Sequence, residues 1–250
     1  VVIDPRKTEM ANKADVFLQV PPGYNIPVMN SLMNVIISEN IYDKEFVNAN
    51  TKGFEILKES VKDYTPDFVS KMTGIEAGLI IKAARLYASS KPSAILYAMG
   101  LTQFSHGTGN VWNTSNLAAI TGNLGIKGGG VNPLRGQNNV QGACMVGALP
   151  TVLASGKPVT DDTARKECSE LWCCDVPGKP GIPLTVLPEN IGNGNIKFLW
   201  VLGENPMMSD PDSEHFAHSL AGLEFMVSQD IFMSETCIKS DMVLPAAAFA

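Results

Sequence analysis

Between Gly130 and Gly142 the chain reads GVNPLRGQNNVQG, with one cation, Arg135, among asparagine and glutamine amides and glycines. A guanidinium presents a planar fork of N–H donors that pairs with both oxygens of a carboxylate or phosphate. Neutral amides around it can hydrogen-bond a polar ligand without adding a charge that competes for the fork. Such a stretch is equipped to grip a small anion. The same residue types also suit an arginine in a solvated turn whose glycines serve the backbone.

Other polar residues stand directly behind apolar runs. Asp4 and Arg6 follow VVI, Gly23 and Asn25 follow VFLQV, and Gln103 follows AILYAM. Glu204 and Asn205 follow IKFLWVL, and Gln229, Asp230 and Ser234 lie at or just beyond the end of EFMVS. Taken singly, each is a turn or cap former. In succession they mark the edge of an open parallel sheet where loops and helix N-termini present unpaired amides to ligands. Carboxylates such as Asp4 and Asp230 can accept from guanine N–H groups or ribose hydroxyls, and glycine lets backbone amides approach a pyrophosphate. No GxGxxG or P-loop follows any of these runs, so an ordinary nicotinamide-dinucleotide or P-loop site has no signature here.

Helix and strand signals alternate along the chain. In PVMNSLMNVIISEN, Val28, Leu32, Val35 and Ile36 form one apolar helical stripe. Thr65 followed by Pro66 is an N-cap with proline in the first turn, and a helical period resumes from Ile75. SAILYAM reads as a buried strand. The second half continues with IKFLWVL, a helix near Asp212 to Leu220, EFMVSQD and DMVL. This pattern predicts an α/β fold of mostly parallel sheets with helices on both faces. Thr151 to Gly194 carries few strong patterns and is expected to be peripheral, and His106 reads as a surface-loop histidine.

With 250 residues and 45% hydrophobic content, the chain can build one large core or two ordinary ones. A formal net charge of -6, with both signs mixed along the chain, excludes a nucleic-acid footprint. No membrane-length apolar run and no export signal is visible, which predicts a cytoplasmic chain without a membrane segment. The five cysteines contain no CxxC pair and read as reduced thiols. A metal at Cys168 to Cys174 would need a further ligand, for which His215 or His218 is the candidate. The chain opens on the strand-like VVIDPR and stops just after DMVL, which is expected of an internal piece of a longer polypeptide.

VVIDPRKTEMANKADVFLQVPPGYNIPVMN, YAMGLTQFSHGTGN, LAAITGNLGIKGGGVNPLRGQNNVQGAC and VSQDIFMSETCIKSDMVLPAAAFA together resemble the catalytic alpha subunit of molybdopterin-dependent formate dehydrogenases. The resemblance implies two doubly wound, mostly parallel-sheet α/β domains, both incomplete here: residues 1–137, lacking its N-terminal part, and residues 138–250. Each would bind one dinucleotide of a bis(molybdopterin guanine dinucleotide) molybdenum or tungsten centre. It implies that Arg135 holds the substrate formate, and that Met99, Gln103, Gly136 and Gln137 line the pterin. Asp4, Arg6, Gly23 and Asn25 would meet the guanine end of one dinucleotide, and Glu204, Asn205, Gln229, Asp230 and Ser234 would serve the other. The metal-binding cysteine or selenocysteine, the histidine after it and the iron-sulfur cluster would lie upstream, since no Cys-His pair occurs here. The isolated chain is therefore expected to be inactive, and the parent protein to pass electrons to a partner subunit. Met145 and Val146 depart from the family pattern, which has a carboxylate in place of Met145. Another molybdopterin oxidoreductase, or a non-catalytic scaffold subunit of the same fold, is the alternative.

Overall fold

The structure, a computed structural model, describes residues 1–154 and 156–248. It divides into two compact units, Val1–Asn138 and Asn139–Ala250.

The first unit is organised around one helix. Its elements are β1 (Val2–Ile3), α1 (Glu9–Asn12), β2 (Phe17–Leu18), α2 (Asn25–Ser38), α3 (Lys44–Asn50), α4 (Phe54–Val61), α5 (Pro66–Thr73), α6 (Ala77–Ser89), β3 (Ala94–Tyr97), α7 (Met99–Thr102), α8 (Gly107–Ile120) and β4 (Gly130–Pro133). The expected stripe of α2 is buried at every position: Val28 and Ile36 are 0% exposed and Leu32 and Val35 3%. Because its apolar residues extend around much of the circumference, α2 packs against α4, α5, α6 and α8 at once. Full burial of such side chains contributes about 1.5–3 kcal/mol each, which makes this helix the main source of the unit's cohesion. Thr65 caps α5 as its sequence predicts, its hydroxyl accepting from the Phe68 N–H at 3.2 Å.

The strands form two parallel pairs. Val2 lies opposite Phe17 in the β1–β2 pair, and Ala94 opposite Gly130 in the β3–β4 pair. Strand β3 departs from expectation. SAILYAM was expected to be buried, yet Leu96 is 64% exposed while Ile95 is half-buried. A parallel strand is buried on both faces only when helices cover both. Here α8 packs on β3 and β4, and the face carrying Leu96 is left open.

The entry to β3 is fastened by a buried amide. Asn123 Oδ1 accepts from the Ser93 N–H at 2.8 Å, and Asn123 Nδ2 donates to Thr121 Oγ1 at 2.9 Å. The Thr121 hydroxyl in turn donates to the Leu117 carbonyl at 2.9 Å, which anchors the network in the last turn of α8.

The second unit contains α9 (Val140–Met145), α10 (Asp162–Trp172), α11 (Leu187–Gly192), β5 (Phe198–Leu202), α12 (Pro206–Ser209), α13 (Ser213–Ser219), β6 (Phe225–Asp230), α14 (Glu235–Lys239) and β7 (Met242–Pro245). Its sheet runs β5-β6-β7 and both ladders are parallel. One face packs Val201 and Met226 against Ile191 of α11, Phe216 of α13 and Leu220. The other face exposes Phe198 and Trp200 at 55% and Leu202 at 68%. The region from Thr151 to Gly194 is more structured than its sequence suggests. Asp161 Oδ1 accepts from the Thr163 and Ala164 N–H groups and starts α10, which buries Ala164 beside Leu153 and Val159.

Asn123→Ala should lower the unfolding free energy by about 1–3 kcal/mol, because it strands the Ser93 N–H and deprives Thr121 of its donor. Urea unfolding followed by circular dichroism measures this, and an unchanged unfolding free energy would refute it.

Candidate functional site

In a parallel sheet all strands end at the same edge, so the residues just past β1 and β2 gather at one rim, and those past β3 and β4 at another. Behind β1, Asp4 is half-buried, and its Oδ1 accepts from the Arg6 N–H at 2.7 Å. The Arg6 side chain beyond this local turn is exposed. Behind β2, Gly23 adopts φ +92°, a conformation that side chains disfavour, and delivers the chain to Asn25, the first residue of α2. Asp4 and Asn25 both line one cavity of about 750 Å³.

Behind β3, Met99 opens α7 and Gln103 closes it with its N–H bonded to the Met99 carbonyl at 2.9 Å. The chain then folds back so tightly that a Cβ at Gly107 would run into the Thr102 carbonyl oxygen. His106 lies in the loop before α8, as its sequence suggests, and is half-buried there. Its ring lies 5.3 Å from that of Phe104, and its Nε2 is buried without a hydrogen-bond partner.

Behind β4, Pro133 supplies no donor and closes the strand. The Leu134 N–H still reaches the Tyr97 carbonyl at 2.7 Å, so Arg135 is the first residue released from the ladder. Arg135, Gly136 and Gln137 are exposed, and Arg135 makes no ion pair among the described residues. The run then turns at Asn139, whose side chain caps α9 by accepting from the Gly142 N–H at 3.1 Å. Met145 and Val146 lie at the far end of α9, 60% and 73% exposed.

In the second unit the ends of β5 and β6 converge. Gly203 turns with φ +63° and donates to the Gln229 carbonyl at 2.8 Å, placing Glu204 and Asn205 beside the end of β6. Asn205 is the hub. Its Oδ1 accepts from the Thr236 N–H at 3.2 Å and hydroxyl at 2.7 Å, and its Nδ2 donates to Glu235 Oε2 at 2.7 Å. Its amide oxygen is thereby committed to holding the start of α14 against the β5 loop. Asp230 Oδ1 accepts from the Phe232 N–H at 3.1 Å, and Ser234 caps α14 through the Cys237 N–H at 3.3 Å. Glu235 and Thr236 escaped the sequence reading, although the Ser-Glu pair at a helix start is an N-terminal signal that could have found them.

Charge is unevenly tolerated at this edge. Burial, and then the neighbouring Asp210 carboxylate, hold the Glu204 carboxyl above the ordinary carboxylate range. Burial also raises Asp210, partly offset by the Ser209 hydroxyl. Glu235 is held below that range, first by its own backbone N–H and then by the Asn205 amide.

The sequence pattern of the molybdopterin oxidoreductase family matches residues 1–250, and the chain belongs to that family. It is 48% identical over 250 residues to the F420-dependent formate dehydrogenase subunit alpha of Methanocaldococcus jannaschii, of which it spans 37%. To formate dehydrogenase H of Escherichia coli it is 40% identical over 250 residues, spanning 35% of that protein. The solved acetylene hydratase from Pelobacter acetylenicus shares the fold at a TM-score of 0.74 and 25% identity, over 98% of this chain and 36% of that one. The chain thus covers little more than a third of these relatives.

A carboxyl whose folded pKa is raised holds its proton more tightly in the native state. The stability it contributes is complete below the unfolded carboxylate pKa and is lost as pH rises through the higher folded value. Glu204→Gln should therefore flatten the fall in melting temperature as pH rises above the ordinary glutamate range of about 4. Calorimetric scans of parent and variant over this rise in pH check it, and parallel curves would refute it.

Proposed function

We propose that this chain is the substrate-gripping and cofactor-cradling part of a formate dehydrogenase, with Arg135 holding formate. The observation that carries the reading is the state of Arg135: exposed at a strand end, released from the ladder and without an ion pair among the described residues. A structural arginine would spend its fork on a protein carboxylate, as Arg85 does with both oxygens of Glu39 at 2.8 and 2.7 Å. The 40–48% identity to chains named formate dehydrogenase supports the choice of anion.

The donor set fits a pterin guanine dinucleotide. Asp4 and Asn25 line the same cavity and offer acceptors and donors suited to a guanine edge. A Cβ added at Gly23 or Gly136 would meet nothing within 4 Å, so both backbones are open to a close-lying group. On this reading Arg6, Gly23, Asp4 and Asn25 hold one dinucleotide, with Met99, Gln103, Gly136 and Gln137 along its pterin. Glu204, Gln229, Asp230 and Ser234 hold the other, while Asn205 orients their loop. When bound, the molybdenum or tungsten of this cofactor would supply the two-electron acceptor for formate oxidation, in which formate gives carbon dioxide, one proton and two electrons. An iron-sulfur cluster and a partner subunit, both outside residues 1–250, would carry those electrons onward.

The contribution of Arg135 follows from charge. A guanidinium keeps its charge throughout the working pH range, so formate always meets a cation. Paired through both oxygens, formate is fixed in position and its C–H bond is presented in one direction, which is where the rate advantage arises. Oxidation removes the negative charge, and neutral carbon dioxide no longer pairs with the fork. The same residue thus binds substrate and releases product.

Arg135→Lys in the full-length enzyme should lower kcat/KM for formate by about tenfold or more, the loss of a charge-assisted contact of about 1.5–3 kcal/mol. Lysine keeps the charge and loses the bidentate fork. The variant's metal content and melting temperature should match those of the parent, and unchanged kinetics would remove Arg135 from the substrate site.

A further inference from the structure

Helix α10 ends on two adjacent cysteines. All five cysteines of the chain are free thiols, and three of them, Cys168, Cys173 and Cys174, fall in this one stretch. Cys168 packs half-buried against the small core of Leu153, Val159 and Ala164, whereas Cys173 and Cys174 are exposed. The sequence left open a metal here with His215 or His218 as a further ligand, but no three His, Cys, Asp or Glu side chains converge among the described residues. A structural zinc, which takes four ligands, is therefore not what this stretch holds.

The exposed pair sits on a fixed chain reversal. Cys173 has φ +53° and ψ +36°, a left-handed conformation that falls ordinarily to glycine at a helix C-terminus. Ser169 secures the reversal: its carbonyl accepts from the Cys173 and Cys174 N–H groups, the latter at 3.2 Å, and its hydroxyl oxygen from the Val176 N–H at 3.1 Å. The Cys173 thiol itself donates only weakly, to the Glu170 carbonyl at 3.8 Å. Consecutive Cα atoms lie about 3.8 Å apart, so side-chain rotation alone can bring both thiols to one centre.

We propose that Cys173 and Cys174 form a dithiol site for trivalent arsenicals that carry one organic substituent. Sulfur ligands are the ones that soft, polarizable centres select. Such an arsenical has two exchangeable positions, which two thiols fill without a third protein donor. In the condensation each sulfur forms a bond to arsenic, the arsenic–oxygen bonding is broken, and the two thiol protons leave with the oxygen as water. Arsenic stays trivalent throughout, so no oxidant or reductant takes part. Once the first arsenic–sulfur bond has formed, the second closes within the molecule, at an effective concentration that favours the pair over separate thiols. Leu171 and Trp172, both exposed, stand directly before the pair and offer apolar surface to the organic group. The pair lies outside the residues assigned to formate and its cofactor, so this inference stands apart from the formate reading.

Phenylarsine oxide titrated into the full-length polypeptide, followed by iodoacetamide alkylation and peptide mapping, tests it. Without the arsenical, Cys173 and Cys174 should both be alkylated. With it, both should become shielded together while the labelling of Cys168 stays as it was. Cys173→Ser and Cys174→Ser should each weaken shielding of the remaining thiol by about a hundredfold or more in arsenical concentration, because each leaves a single sulfur. Parental affinity in either variant, shielding of Cys168 with only one of the pair, or a pair that resists alkylation before any arsenical is added would each overturn the proposal.

Discussion

Parallel pairing is the constraint on which the rest of this chain depends. A parallel ladder cannot be closed by a tight turn, so each strand must be followed by a long excursion before the chain returns to the same sheet. Those excursions supply the helices, and the returns bring the strands of each sheet to a common carboxyl edge. The 36-residue step from Ala94 to its partner Gly130 leaves room for α7 and α8. The stretch around Arg135 comes directly behind the second strand of that pair. Were the pairs antiparallel, neighbouring strand ends would alternate between two edges and the polar residues of each sheet would be divided.

What could be read from the sequence follows the strength of local physics. Helix α2 was legible because its burial repeats with the helical period, and α5 because Thr65 and Pro66 state its start chemically. Helix α8 was not, since GTGNVWNTSNLAAI combines glycines and asparagines that disfavour helix with an apolar set too diffuse to show a face. It stands because the fold buries it, Asn110 and Thr114 included at 0% exposure. Helix α10 was hidden for a different reason: it buries little, and its capping Asp161 lies in a run of similar polar residues. Burial of β3 was over-read because an apolar run does not reveal how many of its faces are covered.

The candidate contacts divide in the same way. Position behind a strand is a local property and was visible for each of them. How a side chain is employed is not local, and Asn205 is the clearest case. Its amide is committed to Glu235 and Thr236, 30 and 31 residues farther along, in a helix whose start the sequence reading had marked only by Ser234. Arg135 is the opposite case, since its sequence neighbours are neutral and it makes no ion pair among the described residues.

The open face of the β5-β6-β7 sheet has a bearing on how the chain behaves outside any larger assembly. Phe198, Trp200 and Leu202 form a row of exposed apolar side chains on one strand, with Met242 exposed on the same face at the other side of the sheet. Contact between such rows is driven near room temperature by the release of hydration water, so it strengthens on warming and weakens in the cold. Sulfate and phosphate salts, excluded from protein surfaces, push in the same direction as warming. Association through this face is therefore expected to be weakest in the cold and without such salts, a regime opposite to the one that would weaken contacts made mainly by exposed ion pairs.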